Sequence, residues 1–163
     1  MDKYTTMKRV CLAFSVTALA TGCGGSAAPG TGSGAPAPAA AAAASSADDA
    51  QKLQGAWAAV EVLHDGQVQK LGPITWTFTP DRYTNQVGKV SERWAYQLDA
   101  TQTPKRISSQ HFFGPTPGRK LTGIYELSGN TLKVCYDLTG EGYPNDFTAA
   151  KGARRIFYTF KRE

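Results

Sequence analysis

Apolar and polar side chains alternate along short runs after residue 55, and this alternation limits the fold more than any other feature of the chain. Ile74–Thr79 places Ile, Trp and Phe between threonines, and Trp94–Leu98 places Trp, Tyr and Leu around Ala and Gln. Because successive side chains of a β-strand point to opposite faces, strict alternation predicts half-buried strands. Helical periodicity is absent beyond residue 55, so we expect an all-β domain.

Six further runs of the same character are also predicted strands: Trp57–Leu63, Arg82–Gln86, Arg106–Phe112, Lys120–Leu127, Thr131–Leu138 and Arg155–Arg162. Segments rich in Gly, Pro, Asn and Asp separate the runs, and Gly129-Asn130 is the clearest hairpin turn. About eight strands joined by short reversals predict a small antiparallel up-and-down β-barrel, which closes without exposed edges. A flatter two-sheet sandwich is the alternative fold.

A short N-terminal helix is expected immediately before the first strand. Ser46 is a suitable N-cap, Asp48 and Asp49 would lie in a first turn favoured by the helix dipole, and Gly55 can end the helix. We therefore expect the folded domain to span residues 46–163.

The first residues have the composition of an export signal. Lys8 and Arg9 precede an apolar segment, Val10–Ala20, which is too short to span a bilayer and predicts a secretory signal peptide. Small residues then lead to Cys23, and this ending resembles the lipobox of bacterial lipoproteins, although Ala20 stands where Leu is usual. The resemblance implies that residues 1–22 are removed and that Cys23 carries a lipid. The protein would then be anchored outside the cytoplasm, at the outer membrane or periplasmic face of a bacterial cell envelope. An ordinary cleaved signal is the alternative.

Residues 23–45 are predicted to form a disordered tether between the lipid and the domain. Between Gly24 and Ala44 almost every residue is Gly, Ala, Pro, Ser or Thr, with no charge and no large apolar side chain. Such a segment cannot bury enough apolar surface to offset the entropy that ordering would cost.

Charge and cysteine content limit the partners and the source of stability. The formal net charge of +5 is spread along the chain without a block of like charge, so we expect no nucleic-acid partner. Cys135 is the one cysteine in the predicted domain, which excludes an internal disulfide. We expect a monomer stabilised by its core, with Cys135 as a packed and unreactive thiol.

The sequence contains no residue pattern that marks an enzyme. His64 and His111 are the only histidines, and their separation gives no zinc-binding motif. Ser108 and Ser109 lie near His111, but neighbouring residues of a strand point to opposite faces, which does not favour a nucleophile and base. We therefore expect no catalysis, no metal and no cofactor.

Aromatic side chains are the strongest indication of binding. Trp76, Tyr96 and Tyr125 lie on predicted strands, and with the Phe112-Phe113 pair they are the expected contacts for a small hydrophobic ligand or lipid at the barrel mouth. One of two adjacent strand residues must face outward, so an exposed Phe is expected beside the turn that follows. The alternative is a barrel filled by its own side chains, because eight strands enclose little more than that volume.

The segment Leu53-Gln54-Gly55-Ala56-Trp57 resembles the first signature of the lipocalins, in which Gly-x-Trp opens the first strand after a short helix. The resemblance implies a lipocalin-like, calycin-type barrel in which Trp57 packs across the closed end. It also implies a basic side chain from the last strand over that ring, for which the candidates are Arg154, Arg155, Lys161 and Arg162.

The domain is more specifically similar to an uncharacterised bacterial lipocalin-like family. Its motifs Gly-Pro-x-x-Gly-basic, Gly-Ile-Tyr-Glu-Leu and Gly-x-Thr-Leu-Lys-x-Cys are matched by Gly114–Arg119, Gly123–Leu127 and Gly129–Cys135. The similarity spans residues 53–163 and implies the fold but no activity. We therefore expect a lipid-anchored binding module for a small hydrophobic ligand or lipid. The alternative is a structural or protein-interaction envelope lipoprotein with a filled barrel.

Overall fold

The computed structural model describes residues 38–163, in which one helix and nine strands follow each other along the chain. Eight of the strands lie where the alternation of the sequence predicts them, and the ninth has only two residues. The elements are α1 (Pro38–Leu53), β1 (Gly55–His64), β2 (Gln67–Val68), β3 (Ile74–Phe78), β4 (Arg82–Val87), β5 (Val90–Asp99), β6 (Lys105–Phe113), β7 (Lys120–Ser128), β8 (Thr131–Asp137) and β9 (Arg155–Arg162).

The strands close into an up-and-down barrel. From β3 to β9 each strand pairs antiparallel with the next, and β1 pairs with both β3 and β9, so eight strands complete the ring. The short β2 pairs only with the end of β1, where Val68 lies opposite Leu63. The predicted lipocalin-like all-β barrel is confirmed, and the sandwich alternative is wrong.

Closure depends on β1, which has a barrel strand on each side. Gly55–Ala58 pair with β3, where Trp57 lies opposite Trp76, and Trp57–His64 pair with β9. A register shift between Ala59 and Glu61 marks a β-bulge. The extra residue bends and twists the strand, which adds to the curvature of the closed sheet.

The helix starts earlier than the sequence predicts. It begins at Pro38, so residues 38–45 of the predicted tether are helical and the N-cap role of Ser46 is wrong. Alanine has the highest helix propensity and proline is favoured in the first turn, so the alanine run extends the helix. Ser46 Oγ instead accepts a hydrogen bond from the Ala100 N–H at 3.1 Å. The predicted signal peptide, Cys23 and residues 24–37 lie outside the described residues.

Aromatic rings fill the interior of the barrel. The buried aromatic residues of this core are Trp57, Trp76, Phe78, Tyr83, Trp94, Tyr96, Tyr125, Tyr136 and Phe160. Aromatic side chains bury more apolar area than other residues, so these rings account for much of the hydrophobic stabilisation.

A second, smaller apolar cluster lies on the outside of the barrel, beneath the 138–154 segment. Ile124, Cys135 and Phe157 pack there against Ala149. Cys135 Sγ donates a weak hydrogen bond to the Thr148 carbonyl oxygen at 3.5 Å. Burial raises the pKa of the Cys135 thiol to about 11, which agrees with the expected unreactive side chain.

Candidate functional site

Trp76 occupies the centre of the aromatic core. Its ring centroid lies 4.8 Å from that of Tyr83, 4.6 Å from that of Phe160 and 5.0 Å from that of Tyr158. Its Nε1 donates a hydrogen bond to Asn85 Oδ1 at 2.8 Å. The indole that the sequence assigns to a ligand cavity is thus enclosed by the protein's own rings.

Tyr96 and Tyr125 lie toward the end of the barrel that α1 covers. Tyr96 OH donates to the Thr79 carbonyl oxygen at 2.9 Å, and burial raises the pKa of Tyr96 to about 12. Tyr125 OH donates to Asp49 Oδ2 of α1 at 2.7 Å, and the same oxygen accepts a hydrogen bond from Lys105 Nζ at 2.7 Å. Both phenol groups are therefore engaged in contacts within the molecule.

Trp57 lies beneath α1 and is fully buried. Its Nε1 donates to the Leu53 carbonyl oxygen at 2.7 Å, and the guanidinium carbon of Arg162 lies 4.2 Å from the ring centroid. Arg162 also donates to the carbonyl oxygens of Lys52 and Gln54. This is the arrangement that the lipocalin resemblance implies, with Arg162 as the basic side chain from the last strand.

Polar side chains face inward near the far end of the barrel, the end opposite α1. Asn85 Nδ2 donates to Glu92 Oε2 at 3.1 Å, and Trp94 Nε1 donates to the same oxygen at 3.4 Å. With the Trp76–Asn85 bond, these contacts form a chain across β3, β4 and β5 that ends on a carboxylate. The far end is therefore more polar than the rest of the interior.

His111 is buried at the same end and organises the turn that follows β6. Its ring stacks on Trp94 with 4.4 Å between centroids, and its Nδ1 lies 2.5 Å from the Thr116 carbonyl oxygen. A carbonyl oxygen can only accept, so Nδ1 donates to it, and in the neutral imidazole Nε2 is then an acceptor. Among the described residues Nε2 has no hydrogen-bond partner. Gly114 lies close above it, since a Cβ at that position would be 2.7 Å from Nε2.

Ser109, two residues before His111, forms a hydrogen bond with a different residue, Tyr136. Ser109 Oγ lies 2.7 Å from Tyr136 OH, and both groups are buried. Burial raises the pKa of Tyr136 to about 12. Ser109 is thus part of the packed interior and has no hydrogen bond to His111.

Phe112 and Phe113 both lie on the outer surface, with 42% and 55% of their area exposed. The register of β6 against β5 shifts at this point, so Phe112 is an extra residue and both rings face outward. The guanidinium carbon of Arg82 lies 5.2 Å from the Phe112 centroid, and that of Arg93 lies 5.1 Å from the Phe113 centroid. We call Arg82, Arg93, Phe112 and Phe113 the outer aromatic patch.

The structure does not bring the five predicted ligand contacts together. Trp76, Tyr96 and Tyr125 are core residues, whereas Phe112 and Phe113 lie outside. Arg82 and Arg93 were not singled out in the sequence, although strand alternation places Arg93 outward because its neighbour Trp94 faces inward.

Two further findings concern residues 38–163 only. Within this range no group of three or more His, Cys, Asp or Glu side chains is placed to hold a metal ion. In the same part of the chain, no helix has the length and apolar character needed to cross a membrane.

Comparisons with protein-family models, curated proteins and solved structures found no match to this chain. The fold, the outer aromatic patch and the polar far end of the barrel are therefore the basis on which a function is proposed.

Proposed function

We propose that the protein is a lipid-anchored extracytoplasmic binding module in which the filled barrel is a scaffold and the outer aromatic patch is the contact surface. The signal-like segment before Cys23 and the Gly/Ala/Pro-rich segment after it support the anchor and the tether. The proposal involves no catalytic step and no cofactor.

One observation carries the proposal: the five aromatic residues that the sequence predicts as ligand contacts divide into a buried set and an exposed pair. The rings of Trp76, Tyr96 and Tyr125 are almost completely buried, and their polar atoms bond to other groups of the protein. Phe112 and Phe113 instead remain accessible on a strand end. Exposed aromatic rings beside arginine are typical of recognition surfaces, where Phe and Arg are both enriched.

A second candidate function is binding of a small ligand inside the far end of the barrel. The observation that favours it is the buried His111 Nε2, which has no partner among the described residues. Leaving a buried acceptor unsatisfied costs on the order of 1–3 kcal/mol, which a hydrogen-bond donor of a ligand would offset. Glu92 lies near the same position, since its Cγ is 3.3 Å from the point that a Gly114 Cβ would occupy.

Native mass spectrometry of the protein purified without denaturation, and then offered palmitate, separates the two candidates. The proposed scaffold function predicts no mass beyond that of the chain with its covalently attached lipid, and palmitate uptake that a Phe112→Ser/Phe113→Ser variant loses. The second candidate predicts a discrete extra mass that is retained in this variant and disappears on denaturation. Such a mass would overturn the filled-barrel proposal.

The anchor is tested by a Cys23→Ser variant. Because lipid attachment requires the thiol, we expect this variant to move from the membrane fraction to the soluble fraction of the envelope. A Cys135→Ser variant is the matched control, since Cys135 is buried in the domain and its replacement leaves Cys23 intact. Membrane association that is equal in both variants would contradict the anchor.

A further inference from the structure

The outer aromatic patch is produced by a specific irregularity of the sheet rather than by a flexible loop. One extra residue in β6 turns Phe112 and Phe113 to the same side, where a regular strand would turn one of them inward. β-Bulges are frequent beside functional sites because they redirect side chains. The two exposed rings are therefore held on a rigid strand end.

A cleft of about 220 Å³ lies beside these rings on the outer face of β3, β4 and β5. Phe112 forms one wall, and Arg82 and Arg93 flank the cleft. Thr77 and Thr84, which are direct cross-strand neighbours, contribute hydroxyl groups to its lining. Its volume is below the roughly 300–1,000 Å³ of pockets for drug-sized molecules, so it fits a small group such as a phosphate.

The charges around the cleft favour an anion. None of its lining residues is acidic. Arg82 pairs with Asp81 at 3.2 Å, but both side chains are largely exposed, and such pairs are weak. Arg93 forms no ion pair with any carboxylate of the described residues. Its guanidinium, held beside Phe113, therefore has donors for phosphate oxygens.

We propose that the outer aromatic patch docks on an anionic phospholipid surface, with a lipid phosphate in the cleft and the two phenylalanines in the interfacial layer. The proposal rests on the proposed function because it names the ligand of the same surface. Arginine binds phosphate through two parallel hydrogen bonds, and apolar rings gain free energy in the layer between headgroups and acyl chains.

A membrane fits this patch better than a protein partner does. A stable protein interface buries about 800 Å² on each partner, which is more than four side chains provide. A lipid surface requires no such area when a tether keeps the domain nearby, because tethering raises the effective concentration. The proposed anchor, Cys23, lies 15 residues before the start of α1. A separation of that length spans at most about 50 Å, which allows the patch to contact the membrane.

The test is flotation of the processed chain, residues 23–163 with Cys23→Ser, with two kinds of vesicle, one of phosphatidylcholine and one in which about a third of the lipid is phosphatidylglycerol. We expect stronger binding to the anionic vesicles and weakening with added salt, because screening reduces the attraction of Arg93. Arg93→Ala should weaken binding to the anionic vesicles about five-fold. Phe112→Ser/Phe113→Ser should weaken binding to both kinds.

The chain offers a matched control in Tyr143, another exposed aromatic ring that has an arginine, Arg106, at 4.6 Å from its centroid. Arg106 and Phe112 lie six residues apart on β6, or about 20 Å, so this pair is outside the patch. Tyr143→Ser should leave vesicle binding unchanged. Equal binding by Arg93→Ala, Phe112→Ser/Phe113→Ser and Tyr143→Ser would overturn the docking proposal, as would equal binding to the two kinds of vesicle. Since every variant lacks the lipid-bearing Cys23, this failure is distinct from failure of the anchor.

Discussion

Trp57 joins parts of the molecule that are far apart in the sequence. Its indole is covered by α1, lies opposite Trp76 in the sheet, and carries the guanidinium of Arg162 over its ring. Arg162 reaches on to the carbonyl oxygens at the end of α1, where helix carbonyls have no partners within the helix. Trp57 on the first strand and Arg162 on the last strand thus attach the helix to the two strands that close the barrel.

Replacing Trp57 with Ala should lower the free energy of unfolding by about 3–5 kcal/mol, because it leaves a large cavity beneath α1. Urea unfolding followed by circular dichroism measures this change. Val68→Ala is the control, because Val68 is exposed on β2 and such substitutions change stability by less than about 0.5 kcal/mol. Equal midpoints for the two variants would contradict the structural role of Trp57.

At the scale of the elements, Gly123 explains how β7 and β8 accommodate a large ring. Gly123 lies opposite Tyr136 in the sheet, and a Cβ at Gly123 would be 2.6 Å from Tyr136 Cδ1 and 2.6 Å from the Cys135 carbonyl oxygen. The missing side chain is therefore the space into which Tyr136 packs. This gives a physical reason for the glycine at the start of the Gly-Ile-Tyr-Glu-Leu motif.

We expect Gly123→Ala to destabilise the barrel by about 1–3 kcal/mol, since overpacking shifts rings or backbone. The matched control is Gly72→Ala, where a Cβ would meet no heavy atom within 4 Å. Thermal unfolding of the two variants compares them directly. A Gly123→Ala variant as stable as Gly72→Ala would show that Tyr136 has room to move.

Alternation predicts the strands well because it follows from the geometry of any half-buried sheet. Alternation also places Glu92 inside the barrel, because Glu92 is two residues from the inward-facing Trp94 on β5. The bulge at Phe112 was not predictable in this way, because an extra residue breaks the phase and depends on the pairing with β5. The start of α1 differs from the prediction because a run of six alanines is marginal as an isolated helix in water, whereas here it extends a helix that packs on the barrel.

The candidate site was less predictable than the fold. Trp76, Tyr96 and Tyr125 were chosen as aromatic residues on strands, but sequence does not distinguish a ring that lines a cavity from one that fills it. That distinction depends on ring-to-ring distances, such as the 4.6 Å between Trp76 and Phe160. Arg82 belongs to the patch because its guanidinium reaches the Phe112 ring from β4, a strand that is not a direct neighbour of β6.

At the scale of the whole molecule, buried phenols make the barrel sensitive to alkali. Burial raises the pKa of Tyr83, Tyr136 and Tyr158 above the ordinary value near 10, to about 12 for Tyr136. A phenol with a raised pKa in the folded state contributes stability that is fully present below the unfolded-state pKa near 10. This stability is lost as the pH rises through the folded-state pKa.

We therefore expect the free energy of unfolding to start falling near pH 9, where the Cys135 thiol ionises in the unfolded chain. Above about pH 10 each such tyrosine adds a fall of about 1.4 kcal/mol per pH unit. Urea unfolding between about pH 8 and pH 11 measures the slope. Tyr136→Phe should reduce this slope by about 1.4 kcal/mol per pH unit, the contribution of one tyrosine. Tyrosinate absorbance from these phenols should rise only as the protein unfolds, and a rise in the folded protein would contradict their burial.

The pairing of β1 with β9 has a consequence for the order of events as the chain folds. The hydrogen bond from Arg162 to Gln54 joins residues 108 positions apart, so the ring is incomplete until the last strand is available. Until then the partly formed sheet presents β1 and β8 as open edges, which are templates for pairing with other chains. Folding dominated by such distant pairings is slow, on the order of milliseconds to seconds. A chain that emerges from its N-terminus onward therefore passes its period of greatest aggregation risk after β8 has emerged and before β9 follows.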